Sequence, residues 1–148
     1  MAKHKRFTSL QDVQSAQAGA SRKTAGHLAL GLWVVANNLD PANDTVKVRG
    51  EVSPNDTHYH PVDIGTTQND DVLSVTTADF VQSDADNSVY VAYIQAHNVP
   101  VEHLRANLTS YTDSSTENDL SVTAYLFLGG WAGRGKSYNE RTDTVPNY

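Results

Sequence analysis

A chain of 148 residues is long enough for one domain with a substantial core, and its longest apolar run, LALGLWVVA at 28–36, is of strand length rather than membrane-spanning length. It has no cysteine, which excludes disulfides, thiolate metal sites and a thiol nucleophile. The net charge of −6 comes mostly from 13 Asp against only 4 Glu, so the surface repels itself in dilute salt and is screened at molar salt, a composition that fits adaptation to high salt.

Residues 1–26 are basic, with Lys3, Lys5, Arg6, Arg22 and Lys23 against Asp12 alone. The opening MAKHKRFTSLQDV has no apolar stretch of the kind a secretory signal carries. Ser9 followed by Asp12 fits a capping box, which predicts a short helix ending near Gly19. Its apolar stripe of Leu10, Val13 and Ala16 is thin, so that helix needs a partner surface. The segment is expected to act as an N-terminal arm.

Residues 27–130 carry a net charge of −11 and change to a period of two. TVKVRGEV (45–52) sets Val46, Val48 and Val52 against Thr45, Lys47, Arg49 and Glu51. HLRANLTSY (103–111) sets Leu104, Ala106 and Leu108 against His103, Arg105, Asn107 and Thr109. Such alternation is that of a strand with one buried and one wet face. HLALGLWVV (27–35), SVYVAYIQA (88–96) and LSVTAYLFL (120–128) are apolar on both faces, so they are expected at the centre of a sheet or with the second face against another subunit. Trp33 is expected in the core. HYHPVDI (58–64), DVLSVTT (71–77) and DFVQ (79–82) are weaker strand candidates. Turn residues fill the intervals, as in NNLDPAND, SPND, SDADNS and TDSSTEND. The pattern predicts an all-β fold, an antiparallel sandwich of seven or eight strands, with 131–148 as a C-terminal tail.

The candidate chemistry is sparse. Gly130, Gly135, Lys136 and Ser137 match the spacing of a phosphate-binding loop. That loop needs a parallel strand delivering it to a helix N-terminus, and the eleven residues after Ser137, with Pro146 among them, leave little room for a packed helix and none for a later strand carrying a magnesium-binding Asp. In THYHP an extended backbone would send His58 and His60 to one face, as two ligands of a transition metal, with Asp56, Asp63, His97 or His103 to complete the shell. The alternative is a histidine pair on a wet edge strand, and this is the reading preferred here. The Asp-rich turns lack the Gly and distal Glu of an EF-hand loop. Asn-x-Ser/Thr triplets begin at Asn43, Asn55 and Asn107, glycan acceptors only in a glycosylating compartment. No catalytic or cofactor-binding residue is assigned and no cofactor is expected; the chain does not read as an enzyme.

The body from HLALGLWVV to AYLFLGG, with MAKHKR before it, resembles the single jelly-roll capsid proteins (vertical single β-barrels) of haloarchaeal icosahedral viruses with an internal membrane. The resemblance is one of architecture and composition over most of the chain. It implies a virion structural protein, a small capsid subunit most like a penton, found in the virion. Its partners would be copies of itself as a pentamer, neighbouring capsid proteins and, through Lys3, Lys5, Arg6, Arg22 and Lys23, the viral membrane, with no specific nucleic acid. A decoration or turret protein of a tailed haloarchaeal virus has the same appearance in sequence. A small cupin-like metal enzyme using His58 and His60, or a carbohydrate-binding module using Trp33 or Trp131, are the readings of other classes.

Overall fold

A computed structural model describes residues 4–23, 29–62, 73–80, 88–95, 102–114, 116 and 118–129. Its strands are β1 (His4–Val13), β2 (Gln17–Ala18), β3 (Arg22–Lys23), β4 (Ala29–Asn37), β5 (Thr45–Ser53), β6 (His60–Pro61), β7 (Ser74–Thr76), β8 (Ser88–Gln95), β9 (His103–Thr112) and β10 (Ser121–Gly129). One sheet has the order β1-β10-β4-β8. In the other, β9 and β5 are central, β2 and β3 both pair with β9, and β6 and β7 both pair with β5. All these pairings are antiparallel. Among the described residues, counting β2 with β3 and β6 with β7 as one position each gives eight strand positions, whose connections cross between the sheets except that from β5 to β6. This is the all-β antiparallel sandwich that the periodicity predicts, in the jelly-roll arrangement that the resemblance implies.

Alternation decides which residues fill the space between the sheets. Leu30, Leu32, Val34 and Ala36 of β4 and Leu104, Ala106 and Leu108 of β9 belong to one core, all fully buried. Each such leucine contributes about 1.5–3 kcal/mol by leaving water. Gly50 sits where β5 passes under Leu73, and its N–H donates to the Leu73 carbonyl at 2.7 Å. A Cβ there would stand 2.6 Å from Leu73 Cδ2.

The N-terminal segment departs from expectation. Residues 9–13 are strand, not helix, and residues 4–23 belong to the sandwich rather than to a separate arm. Phe7, Leu10 and Val13 all pack on the core, although a regular strand would alternate them between faces. Register shifts between Thr8 and Leu10, and between Leu10 and Val13, supply the extra residues. Bulges thus stretch the period from two to three, and the result imitates a helical stripe.

Ser9, at the first bulge, bridges the two sheets instead of capping a helix. Its Oγ donates to the Ala20 carbonyl (2.7 Å) and accepts the Ala106 N–H of β9 (2.9 Å). Gly19 donates to the Ala106 carbonyl at 2.8 Å and lies so close to Ser9 that no side chain fits there.

The weaker strand candidates also differ from expectation. The strand expected at 79–82 begins instead as a 3₁₀ turn, Thr77–Asp79, followed by buried Phe80, with 81–82 outside the described residues. Within the described part of the segment expected as strand at 58–64 the strand covers His60–Pro61, and within that at 71–77 it covers Ser74–Thr76; 63–64 and 71–72 lie outside the described residues. Of the three doubly apolar segments, β4 and β10 are central, and β8 lies at the sheet edge among the described residues, which leaves it the other expected alternative, a second face towards another subunit.

Candidate functional site

The outer faces of the two sheets differ in kind. On the β9-β5 sheet the register places Glu51 opposite Arg105 and Arg49 opposite Asn107. The Glu51 carboxylate accepts the Nε–H of Arg49 (2.8 Å), the Nε–H of Arg105 (2.9 Å) and the Asn107 amide (3.0 Å). It is only 2% exposed, although its strand face is the wet one. Burial pushes its pKa up, but the three hydrogen bonds and the nearby Arg105 charge more than offset this, so the group stays below its ordinary value.

The Arg105 guanidinium lies 3.8 Å from the centre of the Tyr59 ring. Tyr59 O–H donates to Asp56, whose carboxyl is lowered first by that bond and then by one from Ser21. The 54–59 turn is thereby folded down over the cluster. His103 Nδ1, beside it, is buried with no hydrogen-bond partner among the described residues.

On the β1-β10-β4-β8 sheet the outer face is aromatic. Trp33 is half-buried there and outside the core, because Leu32 and Val34 take the inward positions of β4. Its ring lies 5.2 Å from Tyr125 and 6.4 Å from Phe127. Tyr90, 49% exposed, meets Phe127 edge-on at 5.5 Å. Arg6 places its guanidinium 5.1 Å from the Tyr125 ring centre. Aromatic groups on a wet sheet face are the type that anchors interfaces.

The basic residues singled out in sequence are dispersed over the sandwich. Arg6 is on the aromatic face, and Lys5 is in the same strand. Arg22 lies 4.8 Å over the Phe7 ring and shares the short β3 with Lys23. Lys3 lies outside the described residues.

Among the described residues the histidine pair is joined by no further metal-ligating side chains. His58 is in the turn, its Nδ1 3.1 Å from the Asn55 amide, while His60 is exposed on β6. Among the described residues no three His, Cys, Asp or Glu side chains converge, and Asp63 and His97 fall outside them. The phosphate-loop match also lies outside, but the strand leading into it, β10, is antiparallel to both its neighbours rather than parallel as that loop requires.

Both clusters depend on pairing between distant segments. The motifs Arg49-x-Glu51 and Arg105-x-Asn107 are visible as alternation, but nothing local signals that they lie opposite each other. Trp33, Tyr125 and Phe127 each sit in a doubly apolar run, and that second apolar face was their available signal.

No protein-family model and no curated protein matches the chain. Its fold is similar to that in a crystal structure of the SPBc2 prophage-derived protein YomS, with a TM-score of 0.56 and 12% identity over 87% of this chain and 95% of that one. At this identity the likeness is one of fold.

Proposed function

We propose that the protein is a virion structural component, a small capsid subunit that packs against copies of itself and neighbouring capsid proteins. The carrying observation is the aromatic outer face of a jelly-roll tile, in which Trp33, Tyr90, Tyr125 and Phe127 occupy positions that a solitary sandwich would fill with polar side chains. The prophage origin of YomS, the similar fold, adds support to a viral source. Basic residues near the start of the chain would meet the adjoining shell or anionic lipid, and the acidic remainder suits a salt-rich medium.

The test is assembly of the purified full chain in molar potassium chloride, followed by light scattering and electron microscopy, with peptide identification in purified particles. Rings or larger closed species are expected. A chain that stays monomeric at every salt concentration and turns over a small molecule would overturn the proposal.

A further inference from the structure

The aromatic face is complementary to itself. Thr8, Tyr125, Trp33 and Tyr90 form one row across the four strands, each opposite the next in register. To one side of the row Arg6 stands level with Phe127, two residues along β10 from Tyr125. To the other side, Asp12 is bound to Thr123, two residues from Tyr125 in the opposite direction. Its N–H donates to the Thr123 hydroxyl at 3.0 Å, and its carboxylate accepts from that hydroxyl at 3.2 Å. By register a positive and a negative residue thus flank the aromatic row on a single strand, level with Phe127 and Thr123, each two positions from Tyr125, and the Arg6 guanidinium reaches back to 5.1 Å from the Tyr125 ring centre.

We infer that this face seats a second copy of the chain, face to face, about a two-fold axis running along the Thr8–Tyr125–Trp33–Tyr90 row. Rotation about that axis lays each aromatic row on its counterpart and brings Arg6 of each copy to Asp12 of the other. A two-fold contact requires a patch that matches itself, and opposite charges placed symmetrically about an apolar row meet that requirement. Among the described residues, Arg6 and Asp12 are the formally charged side chains that the register and hydrogen bonds place on this face. Elsewhere two copies would bring acid against acid, as at the turns that carry Asp40 and Asp119.

The inference rests on the self-association in the proposed function but not on a pentamer. A two-fold contact closes at two copies, so a ring would be built through other surfaces and joined to its neighbour by this one.

Sedimentation velocity of the full chain tests it. Arg6→Glu and Asp12→Lys are each expected to weaken self-association about tenfold or more. An equimolar mixture of the two should recover it, because every contact in the mixed dimer pairs opposite charges. Asp12→Asn, which keeps a residue type tolerant of the positive φ at this position, should weaken association without strain. Thr8→Cys, in a chain with no other cysteine, should be captured as a covalent dimer by a short bis-maleimide, whereas Thr109→Cys on the opposite sheet should not.

An assembling wild type that is indifferent to Arg6→Glu and gives no Thr8→Cys dimer would overturn the inference and leave the self-assembly reading standing. A wild type that is monomeric at all salt concentrations would overturn both. A monomer whose Trp33 fluorescence responds to oligosaccharide would make this a glycan-binding face and overturn the inference as well.

Discussion

Glu51 on β5 and Arg105 on β9 are cross-strand partners, joined Oε1 to Nε at 2.9 Å, and the same carboxylate holds Arg49 through its other oxygen. One buried acid therefore keeps two guanidinium groups in place on the outer face of the sheet. Removing it leaves two positive groups with no shared counter-charge. Glu51→Gln is expected to cost about 2 kcal/mol, because hydrogen bonds to a buried carboxylate lose their charge while both guanidinium groups keep partial access to water. Arg105→Lys keeps the charge but loses the planar contact on Tyr59, and should cost about 1 kcal/mol. Urea denaturation of the three proteins checks the order.

The same carboxylate makes stability depend on acid. Its folded pKa lies below the ordinary 4.5 because hydrogen bonds from Asn107, Arg49 and Arg105 outweigh burial. A group depressed on folding contributes fully above its unfolded pKa and loses that contribution as pH falls through the folded value. Wild type should therefore lose stability below pH 4.5 more steeply than Glu51→Gln, with the two curves parallel above it. Denaturant midpoints measured from neutral pH downward test this; parallel curves in the acid range would show that Glu51 is not the group responsible.

The Ser9 corner should be intolerant of small changes. Gly19→Ala pushes a methyl into the Ser9 carbonyl and hydroxyl, and overpacking against backbone costs about 1–3 kcal/mol. Ser9→Ala leaves the Ala106 N–H and the Ala20 carbonyl without this partner, at about 1–3 kcal/mol. Thermal unfolding of both variants, compared with Ser15→Ala in the exposed link between β1 and β2, isolates the corner.

Salt should stabilise the fold. The turns 38–44 and 113–120 leave the same end of the sandwich, tied by Asp44, which accepts the Ser114 N–H at 2.8 Å and hydroxyl at 2.9 Å. They bring Asp40, Asp44, Asp113 and Asp119 to one region. Melting temperature is expected to rise by several degrees from dilute to molar potassium chloride as repulsion is screened, and less so in Asp40→Asn. A flat response in the wild type would count against repulsion as a significant cost.

What was legible from the chain alone was the pleat. Val46, Val48 and Val52, or Leu104, Ala106 and Leu108, alternate with polar neighbours, and alternation is a local property of extended backbone. It identified an all-β sandwich and assigned most inward positions correctly. It failed at 9–13, where bulges moved Phe7, Leu10 and Val13 to a spacing of three, and at Trp33, where an apolar residue was placed inside although its phase points outward.

Only the tertiary structure decided which strands are neighbours and in what register. The Glu51 cluster joins residues 54 apart, and the Asp12–Thr123 bond spans 111. Such pairings depend on closing two sheets around a common core, which no short window of sequence contains.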